Sequence, residues 1–306
     1  MTSAEGPQSA TRSFIVDGHV IAAKPIKPSL YVVATPIGNL GDITLRALAV
    51  LAAADLVACE DTRVSAVLLR HYGISSRLIP YHDHNAEAQR PKILQALAEG
   101  RSVALISDAG TPLVSDPGYR LVVEARAAGH AVVPLPGASA LLAALVASGL
   151  PTDRFLFAGF LPPKHVARTK RLAELAMVPA TLVFFETGPR LEEALADMAA
   201  ALGAREASVA RELTKTFETV VSGTLAGLAA EFAGKPPKGE IVVVVGPPVR
   251  EAVTAEDADR VLLALLREHP VGQAATEAAA ITGLKRSELY RRALALKNVA
   301  AEDGED

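Results

Sequence analysis

The chain has 306 residues, enough for two compact domains and a small appendage at roughly 100 to 200 residues per domain. Half of the residues are hydrophobic but only 4% are aromatic and none is Trp, so the core has to be built from Ala, Val and Leu, which suits helices packed on buried strands. The net charge of -3, from 31 Lys and Arg against 34 Asp and Glu, gives the whole molecule no attraction for a polyanion, and any nucleic-acid contact has to come from local patches.

The single cysteine, Cys59, excludes intrachain disulfides and reads as a small buried strand residue of a protein in a reducing compartment. No uninterrupted apolar run reaches the ~18 residues of a membrane span, and no basic stretch followed by an apolar segment opens the chain. A soluble, cytoplasmic, unexported protein is expected.

Residues 1–28 form an N-terminal extension in which Ser13-Phe14-Ile15-Val16 and His19-Val20-Ile21-Ala22 flank Asp17-Gly18, a two-residue hairpin signal; a flexible segment is the equal alternative. From Leu30 short β-rich runs alternate with helical segments. LYVVAT is followed by a helix after Asp42, DLVAC by a helix after Asp61, and SVALIS by a helix with Asp116 as its cap and Pro117 at its first position. This rhythm predicts parallel βα units over an N-terminal α/β domain, residues 29–150.

A break at Gly149-Leu150-Pro151-Thr152-Asp153 opens a second α/β domain, residues 151–248, whose predicted strands are FLFAGF, TLVFFE, ASVARE and the apolar run from Ile241. After Pro247-Pro248 the strands stop, and residues 249–306 read as a small helical module. Within it, Gly272 to Ile281, a Thr282-Gly283 turn and Ser287 to Arg292 have the layout of a helix-turn-helix, with Ala275, Ala279, Leu284, Leu289 and Leu294 spaced as its core.

The unusual segments follow predicted strands, where open α/β sheets bind ligands. They are Thr35-Pro36-Ile37-Gly38-Asn39-Leu40-Gly41-Asp42, then Ser107-Asp108-Ala109-Gly110-Thr111-Pro112 with Ser115-Asp116-Pro117-Gly118, then Pro134-Leu135-Pro136-Gly137-Ala138-Ser139-Ala140. Each alone reads equally well as a tight turn; three on one rim point to a ligand whose contacts are made by closely approaching backbone. No GxGxxG follows the first strand and no GxxxxGK[ST] occurs, which disfavours a pyrophosphate-bound ligand.

Together TPIGNLGDITLRAL, EDTR at Glu60 to Arg63, HDHN at His82 to Asn85, SDAGTPLVSDPGY, PLPGASA, ARELTKTFE from Ala210 and KGEIVVVV from Lys238 resemble the 16S ribosomal RNA cytidine 2′-O-methyltransferases, a branch of the tetrapyrrole methylase superfamily. The resemblance implies a two-domain tetrapyrrole-methylase (class III methyltransferase) fold, a homodimer, and S-adenosylmethionine bound between the two α/β halves. Carried over by motif, Pro36, Asp108, Ala109, Gly110, Ser139 and Ala140 would line the donor from the first half, and Phe185, Leu213 and Gly239 from the second. The implied partner is 16S ribosomal RNA in the 30S subunit.

A ribose hydroxyl is a weak acid, so a positioned base would assist methyl transfer. Candidates are Asp61, Arg63, Arg211, Glu212 and Lys215, although charges of this kind are more often caps or ion pairs, and Asp61 in particular suits an N-cap. Two basic stretches are candidate RNA contacts: Lys164, Arg168, Lys170 and Arg171, which read equally as a solvated helix face, and Lys285, Arg286, Arg291 and Arg292 of the helical module. His82-Asp83-His84 lacks further ligands at a useful spacing, so no metal is expected. Two other readings remain: a tetrapyrrole (precorrin-type) methyltransferase, and a non-catalytic nucleic-acid-binding regulator.

Overall fold

The computed structural model describes residues 12–248 and 254–302, with side chains described to residue 297. The described residues up to Pro248 form one compact unit and those from Thr254 a second.

The first unit opens with a hairpin, β1 (Ser13–Val16) and β2 (His19–Ala22). Asp17 and Gly18 both take positive φ, 48° and 78°, as a tight turn matched to strand twist requires. Phe14 is buried against the first sheet, and the Ile15 amide donates to the Tyr72 carbonyl at 2.7 Å.

Five parallel strands follow: β3 (Leu30–Val33), β4 (Leu56–Cys59), β5 (Leu78–Pro80), β6 (Val103–Ile106) and β7 (Val132–Leu135), in the spatial order β5-β4-β6-β3-β7. Helices α1 (Leu45–Ala53), α2 (Thr62–His71), α3 (Ala86–Ala98), α4 (Tyr119–Ala127) and α5 (Ala140–Ala147) connect and follow these strands. Cores on both faces explain why β4 and β6 read as continuous apolar runs rather than alternating ones. Asp42 ends a 3-10 turn, and α1 starts at Leu45 with Thr44 as its cap.

The expected helix cap at Asp116 is not there. Leu113, Ser115 and Gly118 have φ of 72°, 65° and 133°, so the chain cannot enter a helix until Tyr119, and Gly118 stands at the N-cap without any side-chain bond. Asp116 belongs to an irregular loop instead.

The second sheet is mixed, β11-β10-β12-β9-β8, with β8 (Phe155–Phe160) parallel to β9 (Thr181–Thr187) and antiparallel pairing among β9, β12 (Glu240–Val245), β10 (Glu206–Arg211) and β11 (Thr219–Thr224). In β12 the side chains alternate between two cores: Ile241, Val243 and Val245 join the cluster under α6 (His165–Leu175), α7 (Gly188–Leu202) and α8 (Leu225–Phe232), while Val242 and Val244 meet α5 and Ile37.

Arg168, expected on a basic surface, is only 2% exposed. Its Nε donates to Asp197 at 2.6 Å, and its terminal nitrogens reach Glu193 and the Pro163 carbonyl, both at 3.1 Å. Burial makes these partners obligatory, so Arg168 locks α6 to α7 and is withdrawn from RNA.

The second unit packs α9 (Ala255–Leu266), α10 (Val271–Thr282) and α11 (Arg286–Glu302) around Ala258, Leu262, Ala275, Ala278, Leu289 and Ala293. A reciprocal pair of bonds between Thr254 and Asp257 caps α9. Leu294 is 40% exposed and lies outside this core. One residue corresponds to about 100° of helix rotation, so the buried face runs through Leu289 and Ala293 instead.

Two substitutions test this architecture. A Cβ at Gly188 would sit 1.6 Å from the Pro237 carbonyl oxygen, so Gly188→Ala should cost about 3 kcal/mol or more in urea unfolding, whereas Gly272→Ala, with nothing within 4 Å, should change stability by less than about 1 kcal/mol. Arg168→Ala leaves the buried Asp197 carboxylate with only the His165 ring beside it and should destabilise by about 3 kcal/mol. A cooperative transition unmoved by that change would show the pair to be dispensable.

Candidate active site

The loops leaving the parallel sheet are knitted together. Thr35 and Gly110 exchange backbone bonds of 2.9 and 3.0 Å, and the Thr111 hydroxyl donates to the Ala138 carbonyl at 3.2 Å. The second sheet completes a cavity of about 260 Å³ beside them. Its floor is apolar and buried, made by Ile37, Ala210, Leu213, Ile241 and Val242. Phe185 stands in the wall, edge-on to Phe160 and Phe157 at centroid distances of 5.7 and 4.7 Å. Ala109, Ser115, Phe160, Thr187 and Glu240 are exposed at the mouth, with the partly exposed Asp116.

Of the nine residues carried over as donor contacts, Ala109, Gly110, Ser139, Ala140, Phe185, Leu213 and Gly239 line this cavity. Pro36 and Asp108 are not among the lining residues. Ile37 takes the position expected of Pro36, and Asp108 turns toward β4, where its Oδ1 accepts the Asp61 amide at 2.9 Å.

None of the five proposed base candidates lines the cavity. Asp61 caps α2 by accepting the Arg63 amide at 2.8 Å and pairs with the Arg63 guanidinium at 2.6 Å, which holds its carboxyl down to about 2. Arg211 donates to the Thr219 hydroxyl and to the Lys238 and Phe217 carbonyls at 3.0 to 3.2 Å, which staples the loop between β10 and β11. Lys215 donates to Glu212 at 2.9 Å and Glu240 at 3.0 Å. Burial alone would lower the ammonium's proton affinity, but these two carboxylates raise it, while the Lys215 bond lowers the pKa of Glu212. Its alkyl stem lies where a side chain on Gly38 would be, 2.4 Å from a Cβ placed there. The cluster braces the first β3 loop against the second sheet.

The titratable groups lining the cavity that were not among the expected site residues are Asp116, Glu186 and Glu240. Asp116 is pushed up to about 6, chiefly by burial and further by Glu60, Asp108 and Asp83, against a lowering hydrogen bond from Ser107. Burial also raises Glu186, which accepts the Thr187 amide at 2.8 Å and lies 3.4 Å from Arg190. A Ser-Asp-Pro-Gly sequence imitates a helix start, and that disguises Asp116. Among the described residues no three His, Cys, Asp or Glu side chains converge as metal ligands.

Of the basic residues, Lys164, Lys170 and Arg171 are exposed on and just before α6, with Arg171 3.0 Å from Glu174. In the helical unit Lys285, Arg286 and Arg291 are exposed, Arg286 donating to the Thr276 hydroxyl at 2.9 Å. Arg292 is held in a two-pronged pair by Asp259.

Residues 29–229 match the family model for Tetrapyrrole (Corrin/Porphyrin) Methylases, and residues 251–297 match the RsmI C-terminal HTH domain. The chain is 61% identical over 284 residues to the ribosomal RNA small subunit methyltransferase I of Mesorhizobium japonicum, covering 92% of this chain and 97% of that one. Identity to the protein of the same name in Escherichia coli O157:H7 is 48% over 269 residues, covering 87% and 94%. Among solved structures, the methyltransferase CobJ superposes with a TM-score of 0.55 at 23% identity, covering 74% of this chain and 97% of that one. Diphthine synthase also gives 0.55, at 19% identity, covering 71% and 89%. These last likenesses establish the fold, two α/β sheets of tetrapyrrole-methylase type, to which this chain adds a helical unit. The chain therefore belongs to the ribosomal RNA small subunit methyltransferase I family of the tetrapyrrole methylases.

Proposed function

We propose that the cavity binds S-adenosylmethionine and that the chain methylates the ribose 2′-oxygen of a cytidine in 16S ribosomal RNA of the small subunit. The observation that carries this reading is the cavity itself, closed by loops of both sheets and apolar at its floor. The residues fit the donor. A side chain at Gly110 would press on Ile37, 3.3 Å from a Cβ placed there, and the φ of 78° at this position also favours glycine, so the backbone approaches the cavity closely here. Ile37, Leu213 and Phe185 give an adenine ring apolar surface, and Ser139 and Thr187 place hydroxyls at the wall.

When bound, this donor supplies a methyl group already activated on a sulfonium. The protein's task is then to hold and aim. Leu213 and Val242 keep water from the floor, and the Thr35–Gly110 bridge fixes the loop that approaches the donor. A ribosomal RNA cannot enter a space of about 260 Å³, so its ribose has to meet the mouth. Exposed cations supply the affinity for phosphate that a net charge of -3 denies the molecule as a whole. The names carried by relatives at 46–61% identity favour RNA over a tetrapyrrole, and an enzyme over a regulator.

Protein mixed with methyl-labelled S-adenosylmethionine should label 30S subunits or naked 16S RNA, with the labelled position resisting alkaline cleavage; label passing only to a tetrapyrrole would reverse the substrate assignment. Ala140→Leu, which fills the cavity from the start of α5, should weaken donor binding in calorimetry at least tenfold with little change in Tm. Lys285→Ala combined with Arg291→Ala should weaken RNA binding and flatten its salt dependence, by a slope of roughly 0.7 to 0.9 for each phosphate that is no longer neutralised. An unchanged slope would remove the helical unit from the RNA interface.

A further inference from the structure

The ribose hydroxyl must lose a proton as its oxygen takes the methyl group, and every charged residue that the motifs offered for this is already paired elsewhere. Three carboxylates border the cavity. Glu240 is 3.0 Å from the Lys215 ammonium, on the solvent side of the brace. The Glu186 side chain is wholly buried, with Arg190 and the Thr187 amide beside it, so a macromolecule at the mouth cannot reach it. Asp116 differs from both. It is partly exposed at the mouth, next to Ser115, and among the described residues it takes part in no ion pair.

The backbone around it is held in an unusual way. Leu113 and Ser115 occupy the left-handed region although neither is glycine, at a cost of about 1 kcal/mol or more each, and Gly118 bends at φ 133°, which residues with a side chain rarely adopt and where a Cβ would also lie 2.9 Å from the Leu105 side chain. Without these bends Ser-Asp-Pro-Gly would start a helix and spend the Asp116 carboxylate on capping. With them it faces the cavity.

Resting on the reading of the chain as a ribose methyltransferase, we infer that Asp116 is the general base of the reaction, taking the proton of the ribose 2′-hydroxyl at the cavity mouth. The ribose O–H bond breaks with its proton passing to a carboxylate oxygen of Asp116. The oxygen's electron pair forms the bond to the methyl carbon, and the carbon–sulfur pair stays on the sulfur, which leaves as a neutral thioether. A carboxyl raised to about 6 is a stronger base than an ordinary aspartate yet is still mostly ionised at neutral pH, the compromise that general-base catalysis requires. The groups that face it and raise it are Glu60, Asp108 and Asp83, with Ser107 opposing them.

The test uses the full-length protein, 30S subunits and Asp116→Asn, with calorimetry of S-adenosylmethionine and of its neutral product S-adenosylhomocysteine. The expected result is a fall in kcat of roughly a hundredfold or more, with the affinities for both compounds kept within about threefold. For the wild type, single-turnover rate should rise with pH through about 6 and then level, because the base works only when ionised; the variant should lack that limb. Wild-type kcat in the variant would overturn the assignment, as would a wild-type rate that stays flat through about pH 6 even should the variant fail to fold. Selective loss of S-adenosylmethionine affinity would also overturn it, by making Asp116 a counter-ion to the sulfonium. Absence of ribose methylation by the wild type would bring down the proposed function itself, and this inference with it.

Discussion

The site depends on an apolar seam. Val183, Ala210, Val242 and Val244 of the second sheet pack against Ala144 and Leu145 of α5 and against Ile37 of the loop after β3. Each large aliphatic side chain buried in this way is worth about 1.5–3 kcal/mol, whereas the Lys215 pairs, one of them to a Glu240 side chain that is 72% exposed, belong to the class worth about 1 kcal/mol or less. The seam therefore holds the loops of the first sheet at a fixed distance from the second. The ion pairs choose how the loop after β10 lies across Gly38 once that distance is set.

The same comparison of magnitudes sorts the charged residues. A charge that caps a helix, staples a loop or bridges two helices has given its hydrogen-bonding capacity to the fold, and taking it out for chemistry would leave a partner unsatisfied. Asp61, Arg211, Glu212, Lys215 and Arg168 all have such partners. Asp116 has only the Ser107 hydroxyl beside it and no ion-pair partner, and its neighbourhood on balance makes its proton affinity higher instead of neutralising it. A strained loop that holds an unpaired, half-buried carboxylate gains nothing for stability, so the strain is to be explained by what the carboxylate does.

Much of this is legible in the sequence because it is local. The alternation of apolar runs with helical segments predicts the parallel sheet, and the uninterrupted run from Ile241 is the mark of a strand buried on both faces. The remainder is non-local or hidden in the backbone. Arg168 reads as a surface cation because its partner Asp197 lies on another helix, 29 residues away. The edge strand β11, with exposed residues and Gly223, carries too little apolar pattern to be seen. Positive φ at Leu113 and Ser115 has no sequence signature, since both are residues that avoid it. Hence most of the cavity wall can be named from the motifs, while its one unpaired carboxylate reads as a helix cap.

A polyanionic substrate changes the balance at this carboxylate. A nucleic acid at the mouth adds negative potential near Asp116, and a like charge favours the protonated form of a carboxyl, as Glu60, Asp108 and Asp83 already do. The added potential makes the carboxylate a stronger base at the moment of use and a less ionised one beforehand. Cations nearer the mouth than the phosphates would cancel the effect, and in this structure Arg63 is turned onto Asp61 and Lys215 onto Glu212 and Glu240. The ion pairs that remove these residues from the list of bases thus also keep their charge from neutralising the one carboxylate bordering the cavity that has no ion-pair partner.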